Sequence, residues 1–189
     1  MRIFIAIPLP KPTIHQLVRA SSSQRPKITS GVRWVPPENL HLTLRFLGET
    51  SPEVVSDLTM QLDALGKLPS FDLAFTEYGV FPKWNAPTSI WLGVNKTDDL
   101  LNIHRTVELM VRDCGFRADK RPFTPHLTVV RVKRNPSSTT VSQIQEAFKN
   151  TPSPVKVGFP ACHVVLFQSI LSPQGSQYNA IHTVDLKQT

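Results

Sequence analysis

The triplet His-Leu-Thr occurs twice in the chain, as His41-Leu42-Thr43 and as His126-Leu127-Thr128. Imidazole titrates near neutrality, so of two such rings one can stand neutral and take a proton while the other stands charged and gives one. Opening a cyclic phosphodiester needs that division: a base to deprotonate water and an acid to protonate the departing sugar oxygen. The negative charge growing on the phosphoryl oxygens needs donors already aimed at it, and threonine hydroxyls are such donors. No HExxH, Asp-rich or Cys/His pattern at metal-ligand spacing accompanies the triplets, so the expected chemistry is acid–base work with no metal and no cofactor. A single HxT would be an ordinary structural histidine; with two copies, each following a proline-bearing loop and opening a β-rich run, a catalytic pair and two structural histidines stand as equal readings of the pattern.

Strand geometry says how the triplets are presented. Residues two apart share a face, so His41 and Thr43 should project together, with Leu42, Leu44 and Phe46 toward the core. His126 and Thr128 should likewise project opposite Leu127 and Val129. By the same parity Arg45 points with His41, whereas Arg131, five residues after His126, points away unless a bulge intervenes.

The elements around them follow from periodicity. An apolar run at residues 3–7 reads as a buried strand. A helix around Ile14, Leu17 and Val18 has Thr13 as its expected N-cap, and a polar, basic loop fills residues 21–31. After a stiff turn at 34–39 comes the first His-Leu-Thr strand, 41–48. A helix capped by Ser51, with Pro52 at its first position, should run to about Leu65. Strands are expected at 71–81 and 88–94, then an amphipathic helix at 98–114, carrying Leu101, His104, Val107, Leu109 and Val111 and stopped by Gly115. The second His-Leu-Thr strand, 126–132, follows a basic loop. A short helix at 141–148 and strands at 162–171 and 178–186 close the chain. This order argues for an α+β fold with mostly antiparallel sheets. The recurrence of helix, proline-bearing loop and His-Leu-Thr strand argues for a duplicated unit.

The chain has 189 residues, 40% of them hydrophobic, which suits one domain over 1–189 and excludes wholesale disorder. Lys and Arg number 21 against 14 Asp and Glu, a formal charge of +7 that favours polyanionic partners, nucleic acid first. The two cysteines, Cys114 and Cys162, read as reduced thiols of a cytoplasmic protein. The N-terminal apolar run of five residues is too short for a signal-peptide core or a membrane span. His15, His104, His163 and His182 lack a threonine two residues on in a comparable strand and read as structural or surface residues. Trp34, Phe81 and Trp84 are candidates to stack on a base, with core or loop packing as the plainer role. Arg25, Lys27, Arg117, Lys120 and Arg121 are candidates to guide an RNA backbone, with a solvated basic loop as the alternative.

The paired motifs His41-Leu42-Thr43-Leu44 and His126-Leu127-Thr128-Val129 resemble those of the two-histidine (2H) phosphoesterase superfamily. The stretches MRIFIAIPLP, RWVPPENLHLTLRFLGE, FPKWNAPTSIWLGV, RPFTPHLTVVR and LFQSILSPQGSQYNAI are similar to the bacterial and archaeal RNA 2',3'-cyclic phosphodiesterase family, also called the 2'-5' RNA ligase family. The resemblance implies a bilobal, duplicated LigT-like fold, with two pseudo-symmetric lobes lining a central cleft and helices outside. It implies a monomer that hydrolyses RNA-terminal 2',3'-cyclic phosphate to a 2'-phosphomonoester, with reverse 2'-5' ligation of tRNA halves as a secondary activity. His41 would be the proton donor, His126 the proton acceptor, and Thr43, Thr128 and Arg131 the phosphate-binding residues. A phosphodiesterase for small cyclic nucleotides and a non-catalytic RNA-binding module are the alternatives.

Overall fold

Residues 1–149, 151, 158–173 and 175–188 are described by the structure, a computed structural model. In chain order their elements are β1 (Arg2–Pro8), α1 (Lys11–Ala20), β2 (Val32–Trp34), β3 (His41–Glu49), α2 (Pro52–Leu62), β4 (Phe71–Leu73), β5 (Phe75–Lys83), β6 (Ala86–Val94), α3 (Asp98–Asp113), β7 (His126–Val132), α4 (Ser138–Phe148), β8 (Phe159–Ala161), β9 (His163–Ser172) and β10 (Gly175–Asp185). The expected α+β class with antiparallel sheets is what forms.

The apolar N-terminal run is buried on both faces, which requires a central strand. β1 sits between β3 and β9 in a four-stranded sheet of order β10-β9-β1-β3. A second four-stranded sheet has the order β2-β7-β6-β5. Each sheet thus contains one His-Leu-Thr strand, β3 or β7, and those two strands pack against each other. The short pair β4–β8 stands apart from both sheets.

Helices cover the outer surfaces. On α3 the buried stripe is Leu100, Ile103, Val107 and Val111, a helical face, with Thr97 capping the N-terminus by accepting from the Leu100 amide at 3.2 Å. That helix lies against β3 and α2. Phe148 at the end of α4 is wedged between Trp34 (6.0 Å between ring centroids) and Tyr78 (4.9 Å), tying α4 to the second sheet. No helix among the described residues is long and apolar enough to cross a membrane.

Four expectations are corrected. Leu109 is exposed, not part of the α3 core stripe. Thr13 is a buried residue inside α1 rather than its cap, because Pro12 is tolerated in the first turn and the helix begins at Lys11. The run 71–81 is two strands, since β4 leaves the second sheet to pair with β8. Phe46 faces solvent, for a reason given by the register of β3.

Candidate active site

Each motif histidine is fixed in the same way. The His41 Nδ1 hydrogen-bonds the Asn39 carbonyl at 2.7 Å, and the His126 Nδ1 the Thr124 carbonyl at 2.6 Å. A carbonyl only accepts, so each Nδ1 carries the hydrogen and each Nε2 is left as the atom free for proton transfer. The rings are braced by aromatics. His41 lies 4.8 Å from Phe4 and meets Tyr178 edge-on at 5.3 Å, while His126 meets Phe81 edge-on at 5.0 Å. Beneath the second ring, the Trp91 indole lies over Gly79, where any Cβ would come within 2.2 Å of it.

His41, Thr43, His126, Thr128 and Arg131 all line one cleft of about 1020 Å³. The path by which Arg131 gets there is a β-bulge. Ile90 pairs with Val130 but Trp91 with Thr128, leaving Val129 as an extra residue that flips the parity of everything after it. β3 has the same device at the same offset: Ile5 pairs with Arg45 and Ala6 with Thr43, leaving Leu44 extra. The fifth residue after each histidine is thereby turned into the cleft, Arg131 on β7 and Phe46, 53% exposed, on β3.

The same bulge removes Arg45, the cation favoured by simple alternation, from the site. It is buried on the other face, 9% exposed, and forms ion pairs with Glu108 of α3 at 3.2 Å and Asp119 at 3.1 Å. It also donates to the Arg117 carbonyl. Arg45 pins the loop that leads into His126.

Burial and positive neighbours act together on the histidines. Burial pushes the His41 pKa down to about 4 against the hydrogen bond to Asn39, and the charges of Arg131 and His126 push the same way. His126 is also lowered from its usual value, by burial first and by Arg131 after the opposing effect of its bond to Thr124. Both rings thus favour the neutral form, His41 more strongly. A bound phosphate anion opposes that shift.

The other candidates divide. Trp34, Phe81 and Arg121 line the cleft, Arg121 being held by Asp119 at 2.9 Å. Arg25 lies over the Trp34 ring, 4.8 Å from its centroid. Trp84 packs against the core, and with Lys27, Arg117 and Lys120 it is absent from the lining of the cleft. His15, His104, His163 and His182 do not line it either. His104 stacks on Phe123, and His163 and His182 bond Asp185 and Asp63. Phe4, Arg2, Arg33, Ser89 and Tyr178 line the cleft without having been anticipated. They arrive through strand pairing, which leaves no local signal in the chain. Among the described residues no three His, Cys, Asp or Glu side chains gather as they would around a metal ion.

Comparison with known proteins adds to this geometry. Residues 12–169 match the 2'-5' RNA ligase superfamily. Over 186 residues the chain is 32% identical to an RNA 2',3'-cyclic phosphodiesterase of Archaeoglobus fulgidus, covering 98% of this chain and 100% of that one. Among solved structures, TT0787 of Thermus thermophilus superimposes with a TM-score of 0.82 at 26% identity, covering 98% of both chains. LigT of E. coli in its apo form shares the fold, with a TM-score of 0.78 at 24% identity over 99% of this chain and 98% of that one.

Proposed function

The chain belongs to the 2'-5' RNA ligase superfamily, and from that premise we propose that it hydrolyses 2',3'-cyclic phosphates at RNA ends to 2'-phosphomonoesters. His126 takes a proton from water, whose oxygen bonds to phosphorus. The bond from phosphorus to the 3'-oxygen breaks, and His41 delivers its proton to that oxygen. Thr43, Thr128 and Arg131 hold the non-bridging oxygens, on which negative charge builds in the transition state. The observation that carries this reading is the twin arrangement of the rings. Each is held through Nδ1 by the carbonyl two residues upstream, and each shares one cleft with its threonine.

The direct test is an oligonucleotide ending in 2',3'-cyclic phosphate, incubated with the protein in excess EDTA. The expected product is the 2'-phosphomonoester, identified by phosphorus NMR. A 3'-phosphate, or intact substrate, would overturn the assignment.

The pH dependence follows from the electrostatics. In the free enzyme the acid must be protonated and the base neutral. Above about 4 the charged fraction of His41 falls tenfold per pH unit. His126, lowered from 6.5, loses its charge before neutrality. Because kcat/KM reports the free enzyme, its optimum is expected on the acid side, between the two titrations, with decline through pH 7 and above. The kcat profile, which reports the complex, is expected to peak at higher pH, since bound phosphate stabilises the imidazolium. A kcat/KM that is level from pH 6 to 8 would contradict this account.

A further inference from the structure

Side by side in the second sheet, Arg33 of β2 and Arg131 of β7 are direct cross-strand partners. Partners in an antiparallel pair share a face, and both side chains line the cleft. Like charges directly opposite one another destabilise a sheet. Among the described residues neither guanidinium forms an ion pair that would offset the repulsion. Glu38 lines the same cleft but is not within ion-pair distance of either. An arrangement of that kind is relieved by anions. One phosphate, held by Arg131 with the two threonines, leaves Arg33 without a counter-charge.

The row continues across the sheet. Arg131 pairs in turn with Ser89, and Ser89 with Phe81, so Arg33, Arg131, Ser89 and Phe81 form one cross-strand line along the cleft wall. Neighbouring strands lie about 4.8 Å apart, so two guanidiniums on flexible stems one strand apart can each hold one of two consecutive phosphates in a single strand. The cleft volume of about 1020 Å³ is at the upper end of small-molecule sites and exceeds the needs of a mononucleotide.

We propose that Arg33, beside Arg131, forms a second phosphate subsite that holds the phosphodiester adjoining the cyclic end, selecting a polynucleotide terminus over a free cyclic mononucleotide. The proposal rests on the phosphodiesterase reading above and adds the substrate feature that reading leaves open. Arg33 is exposed on a short edge strand, so its replacement removes charge without opening the core.

The test sets Arg33→Ala against the unaltered protein on two substrates: adenosine 2',3'-cyclic phosphate, with one phosphorus, and the dinucleotide ApA ending in 2',3'-cyclic phosphate. On the dinucleotide, the variant is expected to lose about tenfold in kcat/KM, the effect of one charge-assisted contact. On the mononucleotide it is expected to be unchanged. An uncharged methylphosphonate in place of the internal linkage should cost the unaltered protein the same factor and cost the variant nothing. The salt dependence of dinucleotide binding should weaken by about 0.7 in logarithmic slope, one phosphate contact's share on a single strand. Equal losses on both substrates would place Arg33 on the reacting phosphate and overturn the proposal, as would no loss on either. Arg33→Gln, which keeps a long side chain, guards against disturbance of the edge strand. If the unaltered protein turned over neither substrate, the phosphodiesterase reading would fail. The subsite would then be judged by titration calorimetry with the 2'-phosphorylated dinucleotide and mononucleotide. Weakening of the dinucleotide alone by Arg33→Ala supports it; any other pattern overturns it.

Discussion

Replacing His41 or His126 by glutamine is expected to lower kcat/KM on an RNA-terminal cyclic phosphate by about 10³–10⁴-fold, with little change in melting temperature. Because the two rings act on one proton-transfer sequence, the double variant should be scarcely worse than either single one. The two positions separate when the leaving group changes. An aryl phosphodiester with a p-nitrophenyl leaving group departs without protonation, so loss of the acid matters far less than loss of the base. With His41 as donor, His41→Gln should recover most of its rate on that substrate and His126→Gln should not. This comparison is the informative one because burial opposes a charge on His41 more strongly than on His126. Rescue of His126→Gln instead would exchange the two roles. Full activity in both variants would dismiss the pair as catalytic.

The second large effect contrasts two arginines. Arg131→Ala is expected to cost about 10²–10³-fold in kcat, the usual toll for removing one donor aimed at developing negative charge, with the melting temperature held or slightly raised as the repulsion from Arg33 is removed. Arg45→Ala should do the reverse. It strips the counter-charge from Glu108 and Asp119 and frees the loop at Arg117. Losing one partner of a buried ion pair costs about 3–5 kcal/mol, and the partial exposure of the two acids puts this case at or below the lower figure. A fall in melting temperature of roughly 5–10 °C follows for a chain of this size. Thermal unfolding and steady-state rates on the same samples decide the matter. If Arg45→Ala were stable but inactive and Arg131→Ala fully active, plain strand alternation would have been the better guide and the bulge assignment wrong.

Local pattern carried a good part of this molecule. The apolar run before Pro8, the capped helix beginning at Asp98 and the two His-Leu-Thr strands are properties of short segments, and they formed where periodicity placed them. What failed depended on partners. An extra residue at Leu44 or Val129 exists only relative to the strand alongside, so alternation along β3 sent Phe46 to the core and Arg45 to the site, the reverse of what forms. The separation of β4 from β5 likewise requires β8, which lies far along the chain. Arg33, Phe4 and Tyr178 reach the cleft through long-range pairing, while their own surroundings mark them as ordinary strand residues.

The matching irregularities at Leu44 and Val129 bear on which way round a ribose can lie. They give the cleft two similar walls, each with imidazole, hydroxyl and then a fifth position turned inward. Were the two walls alike throughout, a sugar placed as proposed would meet the same groups in either sense, and either vicinal oxygen could depart. Up to that fifth position the two strands differ at Leu44 against Val129, Arg45 against Val130 and Phe46 against Arg131; of these Phe46 and Arg131 reach the cleft, and on the proposed reading that ring and that guanidinium are expected to bias which oxygen departs.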